Sequence, residues 1–585
     1  MSFKGFQVRK FGFLHSLALT VIVTMTLAAC AWNQSGKSVD NAPLVNAPMA
    51  SSDTLSGNYL AGRFAQRQQD WDAAQGYMGV VLERDKGNSQ LVQRTFLLAL
   101  GSGNFAKAGE LANKISGRKD GSELALIFLS CDALSHDQFT TAIRYLDKLP
   151  AEGFGQYTKP LLTAWALMGL GKKSAALKLL AANASEDDPT YHMHAGMMEE
   201  LAGNMDGAAR HYKITMANGL DLHTAVMIGD FFERHGRPEI TRTIYQGLDK
   251  AYPFNPFISA MAGRDPRRVI APNITRAADG ASLALFDLAN LLYGKRAYDS
   301  AQIYGNMVQL LNAKSPFAKL MMGDIAALHN RYGQAIAEYD AIDRGSPIFW
   351  LSRMRVAEVY EISGQMEQSV QMLTAMSKDG APRIPALVSL GDAYRRHSQF
   401  ENAIAAYDQA LAGISPLTKD HWPIIYARGI ARERLNNWAL AEKDLLQALA
   451  FQPDNPMILN FIAYSWADQG INLDKALEYA RQAAALRPYD GYILDSYGWT
   501  LFRLGKYQES ISWLEQAVEK IPGDSTLLDH LGDAYWQAGR RNEAQYQWKH
   551  ANDLSQDPAF KNLVRQKIEH GIVVPSQVER LQAKL

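Results

Sequence analysis

The sequence predicts an all-α protein made of stacked, repeated helical units, and two observations predict it. One pattern is written three times near the C-terminus with a step of 34 or 35 residues, at Ala463–Pro488, Gly498–Pro522 and Gly532–Ala551. Within each copy, small residues fall where two helices must touch, larger apolar residues fill between them, and a proline or glycine ends the helices. The last copy reads Leu531, Gly532, Asp533, Ala534, Tyr535, then Gly539, Ala544, Trp548 and Ala551. The copy before it reads Tyr497, Gly498, Trp499, then Gly505, Tyr507, Ser510, Leu514, Ala517 and Pro522.

This spacing resembles the tetratricopeptide repeat (TPR), a 34-residue helix-turn-helix unit. Each such unit leaves one apolar face uncovered, so units stack into a solenoid with a concave groove suited to binding. The small residue at the eighth repeat position recurs backwards from Gly532 at Gly498, Ala463, Gly429, Gly391, Ala357, Gly323 and Ala289. The equivalent position resumes, in a weaker pattern that includes Phe96, at Gly229, Gly196, Ala164, Ser130, Phe96 and Gly62, while second helices supply Ala74, Ala108, Ala142, Ala176, Ala208, Ala301, Ala335, Ala403, Ala441, Ala476 and Ala544. The expected fold is therefore a TPR solenoid in two superhelical segments, about six repeats over 55–255 and about eight over 282–558, with a capping helix and tail at 559–585.

Between the segments, 256–281 carries Pro256, Pro266 and Pro272 with Arg264, Arg267, Arg268 and Arg276, a composition that stops helices. A connector and a degenerate fifteenth repeat are both compatible with it. Fourteen repeats occupy 476 of the 585 positions, which leaves no stretch long enough for an independent catalytic domain. No HExxH zinc helix, phosphate-binding glycine loop or GxSxG elbow occurs. His192 and His194 are two apart and point to different sides of a helix, against shared metal ligation, and Glu199 and Glu200 read as a solvated helix surface. No catalytic residue, metal or cofactor is expected.

The N-terminus carries the second signal. Lys4, Arg9 and Lys10 precede an apolar run from Leu17 to Thr26, then Leu27-Ala28-Ala29-Cys30. This is the pattern of a secretory signal peptide over 1–29, too short and wrongly flanked for a spanning helix. Leu27-Ala28-Ala29-Cys30 is similar to the bacterial lipobox, which implies acylation of Cys30. The other reading is an ordinary signal peptide that happens to end near a cysteine. Several acyl chains would hold the protein firmly, since one alone is marginal. Ala31 and Trp32 stand where an aspartate would signal inner-membrane retention, so the resemblance implies the periplasmic face of the outer membrane. Residues 30–54, rich in Asn, Ser, Ala and Pro, read as a flexible tether. The other cysteine, Cys131, lies in an apolar run and reads as buried and inert. Removing the signal peptide takes three bases from a chain of zero net charge, and the resulting −3 argues against nucleic acid, which needs a concentrated basic surface.

In the repeat family the concave side is lined by positions two, five, nine and twelve of each first helix. Carried onto this chain, the resemblance places Tyr464, Tyr492, Trp499, Phe502 and Trp536 in an aromatic strip edged by Asn460, Asp495, Asp529 and Asp533. The spacings i, i+4, i+7 keep each set on one helical face. Aromatics beside hydrogen-bonding neighbours are the usual composition of interaction hot spots, and packing between neighbouring repeats is the plain alternative. An aspartate follows the glycine at Asp230, Asp324, Asp392 and Asp533, as a ligand-backbone contact or a structural bond between helices.

The stretch from Asp495 through Tyr507 and from Asp529 through Trp548 resembles a group of large proteobacterial repeat lipoproteins. Some of these are adaptors of periplasmic carboxyl-terminal processing proteases that present cell-wall (peptidoglycan) hydrolases for degradation. The resemblance thus implies a non-catalytic, membrane-anchored adaptor with protein partners, and self-association is compatible with it. The competing expectation is a structural lipoprotein of an exopolysaccharide export or outer-membrane assembly complex.

Overall fold

In a computed structural model, residues 54–572 are described apart from 118–121, 151–154, 184, 186–187, 253–254, 256–257, 259–260, 262–269 and 379–382. The signal peptide, Cys30, nearly all of the 30–54 tether, much of the 256–281 connector and the tail after 572 lie outside them. The described residues form 29 α-helices and no strand. Successive helices pair as hairpins, as the all-α solenoid requires. Among the described residues no helix is long and apolar enough to cross a membrane.

Local chemistry sets the helix ends. Asn88, Asp188, Asn455, Asp524 and Asp557 each accept backbone N–H bonds at a helix start, and Pro189, Pro316, Pro456 and Pro558 follow four such caps in the first turn, where a missing N–H costs nothing. Within a hairpin, the turn needs one residue in the left-handed region. Gly505 (φ 76°) and Gly539 (φ 82°) supply it without a Cβ clash, and Asn330 and Asn436 adopt it at φ 59° and 57° in equivalent turns.

The eighth-position glycines have a different reason. A Cβ on Gly391 would lie 2.5 Å from the Tyr407 ring, one on Gly532 2.5 Å from Trp548, and one on Gly196 2.6 Å from Tyr212. In each case the ring belongs to the second helix sixteen residues on. It presses onto the bare backbone of the first, and Tyr407, Trp548 and Tyr212 are all about fully buried as a result.

The chain divides into two compact units, one running to Ser389 and the other from Leu390. The first has one continuous apolar core from Ala65 to Val359. Inside it, the hairpin of Ala277–Gly294 and Tyr298–Leu311 does not simply continue the row. Ala277–Gly294 packs against Glu123–Ser135, Gly155–Gly169 and Pro189–Leu201, and Tyr298–Leu311 packs against Ser89–Gly101 and Glu123–Ser135. These are first helices of four consecutive hairpins, so the face a solenoid usually leaves open is here filled by its own chain.

The composition of Ala277–Gly294 fits this role, because it is apolar nearly all round and buried on most sides. Gly280 meets the Trp165 ring with no room for a Cβ. Asn306 Nδ2 donates to the carbonyls of Leu100 (2.7 Å) and Gly101 (3.0 Å), and Gln302 Nε2 donates to Gly101 (2.9 Å). Those carbonyls end a helix, where Leu100 accepts from the Gly103 N–H of the turn, and the two amides complete their hydrogen bonding. A helix starts at Ala277, inside the 256–281 stretch, and the helices that follow that stretch belong to the same compact unit as those before it.

Candidate protein-binding face

The residues expected to form the strip lie in the second unit. They come from three first helices, Pro456–Gln469, Gly491–Arg503 and Ser525–Gln537. Tyr464, Tyr492, Phe502 and Trp536 are half-buried, whereas Trp499 is 9% exposed. Trp499 stacks on Phe502 (centroids 4.8 Å, 13°) and on His530 (4.1 Å, 15°), so it is a wall beneath the strip more than a surface on it. Trp536 is held between the Arg541 guanidinium, 3.9 Å from its ring centroid, and the backbone of Gly571. Tyr492 Oη donates weakly to Asp524 at 3.4 Å.

The three expected edge aspartates all have partners inside the chain. Asp495 is buried, with both carboxylate oxygens 3.0 Å from His530 Nδ1. Burial alone would lower the His530 pKa, but the Asp495 carboxylate outweighs it and holds the ring above the ordinary histidine value. Lys567 Nζ donates to Asp529 (2.8 and 2.7 Å) and to Asp533 (2.8 Å). Asp533 also accepts the Trp548 Nε1–H at 3.0 Å, and burial pushes its pKa up to about 6. The acids therefore bring little free negative charge to the strip, and what stays accessible is the aromatic surface of Tyr464, Tyr492 and Phe502. His530 and Lys567 stand at positions that the groove pattern does not mark. Lys567 is in the final helix, Pro558–His570, outside the repeat period.

The aspartate after the eighth-position glycine now has a structural account. Tyr339 Oη donates to Asp324 (2.6 Å), Tyr407 Oη to Asp392 (2.6 Å) and Trp548 Nε1 to Asp533. In each, the donor lies fifteen residues on, on the paired helix, so the bond staples the hairpin from within. Asp230 is likewise buried.

One expectation needs correction. Glu199 and Glu200 are not a solvated surface: Glu199 binds Lys173 Nζ (2.6 Å) and Asn204 Nδ2 (2.8 Å), and Glu200 pairs with Arg234 and accepts from Tyr212 Oη (3.1 Å). Both stand near the hairpin turn, where neighbouring helices bring basic ends alongside. His192 and His194 do point apart. His194 Nδ1 accepts from Trp165 Nε1 at 3.0 Å, while His192 meets His211. Cys131 is buried, and desolvation pushes its thiol up to about 12. Among the described residues no three His, Cys, Asp or Glu side chains gather as a metal cluster.

The repeat geometry has a counterpart in known families. The tetratricopeptide-repeat pattern matches residues 386–419, 426–491 and 472–525, all within the stretch that carries the strip and the helices leading to it. The chain carries tetratricopeptide repeats over these residues. It is 30% identical over 217 residues to a TPR repeat-containing protein of Pseudomonas aeruginosa, covering 37% of this chain and 36% of that one. It is 25% identical over 189 residues to the human cell division cycle protein 16 homolog, covering 30% and 29%. The aligned part thus spans only about a third of the length of these relatives. Among solved structures, it is similar to Cut9 in the APC/C hetero-tetramer Cut9-Hcn1 (12% identity, 89% of this chain and 97% of that one, TM-score 0.37). Yeast Tom70 is another (16%, 91% and 96%, TM-score 0.32). Tetratricopeptide repeats are protein-interaction modules.

Proposed function

We propose that this tetratricopeptide-repeat protein is a non-catalytic adaptor, held in a bacterial envelope through lipidated Cys30, that presents substrates such as cell-wall hydrolases to a periplasmic processing protease. The observation that carries the binding part is the half-exposed set Tyr464, Tyr492 and Phe502 on one face of the second unit, between acids already neutralised by His530 and Lys567. Such a face favours an apolar or aromatic segment over a strongly basic one, because a cationic ligand would have to compete with Lys567 for the carboxylates. The envelope part rests on the Leu27-Ala28-Ala29-Cys30 pattern.

The mechanism is confinement. A tethered adaptor that holds enzyme and substrate together raises their effective concentration to about millimolar without any catalytic group of its own. The first unit, with its inner face filled by Ala277–Leu311, would act as a rigid body in this scheme, and groove-type binding would fall to the second.

Affinity capture from solubilised envelopes with the tagged full chain, beside the Tyr464→Ala, Phe502→Ala double variant, tests this. The expected result is co-purification of a processing protease and peptidoglycan hydrolases, with at least one of them lost or weakened tenfold in the double variant. Recovery of polysaccharide-export or outer-membrane assembly components in their place would move the reading to a structural part of such a complex. Unchanged capture by the double variant would remove the strip from it.

A further inference from the structure

The hairpin of Pro189–Leu201 and Met205–Ala217 brings two histidines together. His192 Nδ1 and His211 Nδ1 are 2.8 Å apart, with ring centroids 5.1 Å apart and planes inclined at 32°. Both rings are half-buried, so they are reachable from solvent and yet held in place. The hairpin is fixed at this level by Thr215, whose Oγ1 donates to the Pro189 carbonyl (3.3 Å) and shares the His211 carbonyl (3.4 Å). The spacing of the two rings is therefore a property of the helix pair.

Two imidazoles that share one ion in neighbouring coordination positions, each about 2.0–2.1 Å from it, hold their nitrogens about 2.9–3.4 Å apart. The observed gap needs to open by only a few tenths of an ångström to meet that range. We propose that His192 and His211 form a binding site for one late first-row divalent transition ion, ligated by the two Nδ1 atoms and completed by water. Neutral imidazole is a good ligand for such ions and a poor one for magnesium or calcium, and copper(II) stands above zinc and nickel in the usual order. The nearby acid Glu199 is engaged by Lys173 and Asn204.

The test is calorimetric titration of the full chain with copper(II) and with zinc, beside His192→Gln and His211→Gln, with circular dichroism confirming that the variants keep their helix content. The expected result is one equivalent of tight copper binding, weakened at least tenfold in either variant, with zinc weaker and magnesium silent. Equal binding by wild type and variants would assign the affinity to other histidines among the 13 in the chain and overturn the site. Absence of tight binding would leave the pair as an N–H···N bond between neutral rings. Electron paramagnetic resonance of the wild type with one equivalent of copper provides a reading that needs no variant: coupling to two imidazole nitrogens is expected, and coupling to one or none overturns the proposal.

Discussion

His530 is clamped between a charge and a ring: its Nδ1 lies 3.0 Å from both oxygens of Asp495, and its face is stacked 4.1 Å from the Trp499 centroid. The pair joins helices of consecutive repeats, so its titration acts on the repeat interface. Asp495 holds the folded-state pKa of His530 above the ordinary 6.5, against the opposing effect of burial. A group whose pKa is raised on folding binds more protons when folded, so its stabilisation is fully present below about pH 6.5 and is lost as pH rises through the folded value. Asp533, raised from 3.8 to about 6, acts in the same direction between those values. Amide exchange across Gly491–Gln537 should therefore be slower at pH 6 than at pH 8.5 once corrected for intrinsic rates. His530→Gln should flatten that difference and cost about 1–3 kcal/mol at pH 6. A pH profile unchanged by the substitution would remove the ion pair as its cause.

Lys567 fastens the last helix to the last repeat. Lys567→Met keeps the stem and removes the ammonium, leaving Asp529 and the buried Asp533 facing each other without a cation. The lysine head is 24% exposed, so solvent screens part of the loss, and the expected destabilisation is about 1–3 kcal/mol. It should appear first as faster exchange in Pro558–His570, and Asp533→Asn added to Lys567→Met should restore part of the protection by relieving the unpaired charge. Equal loss in the single and double variants would mean that the contact is packing of the lysine stem alone.

What the sequence revealed follows the range of the contact that carries it. Gly391 with Tyr407, and Asp392 with the same tyrosine, sit sixteen and fifteen residues apart, so their pairing recurs within each repeat and is legible as a period. The aromatic strip was legible for the same reason, since Tyr464, Tyr492, Trp499 and Phe502 hold fixed repeat positions. The state of its acids was not. Lys567 lies 34 residues from Asp533 in a helix with no repeat signature, and His530 occupies a position the groove pattern does not mark. The filling of the first unit was hidden further, because Asn306 meets Leu100 across 206 residues and nothing local distinguishes that asparagine from a solvated one.

The glycine rule predicts a specific compensation. Gly391→Ala places a methyl 2.5 Å from the Tyr407 ring, and neither the ring nor the first helix has room to retreat. Overpacking of this kind costs about 1–3 kcal/mol, more than the gain of about 1 kcal/mol from alanine's helix propensity. The chain itself shows the remedy, because its 357/373 repeat pairs an alanine with a leucine at the same two positions, both buried. Gly391→Ala with Tyr407→Leu should therefore recover part of the stability lost in Gly391→Ala alone, although the bond to Asp392 goes with the tyrosine hydroxyl. Denaturant unfolding of the two variants checks this, and an additive loss in the double variant would show that the ring is not what excludes the methyl.

The last prediction concerns the filled face of the first unit. Asn306 Nδ2 is buried and serves two carbonyls that end the Ser89–Gly101 helix. Asn306→Leu is close in size but removes both bonds, leaving the carbonyl of Leu100 with the Gly103 N–H alone and that of Gly101 with Gln302 alone. Each buried hydrogen bond lost costs about 0.5–1.5 kcal/mol, so the first unit should lose about 1–3 kcal/mol while the second is untouched. If the hairpin Ala277–Leu311 is a fixed part of the core, amide exchange in it should remain cooperative with the rest of the unit, slowing and quickening together in the variant. If instead it is a separable plug, exchange should accelerate in that hairpin and in the four inner helices it covers, while the outer helices Phe105–Ser116 and Phe139–Leu146 keep their protection. The largely apolar circumference of Ala277–Gly294 favours the first outcome, since a helix with so narrow a polar edge, Asp287 and Asn290, would expose its buried apolar residues on leaving.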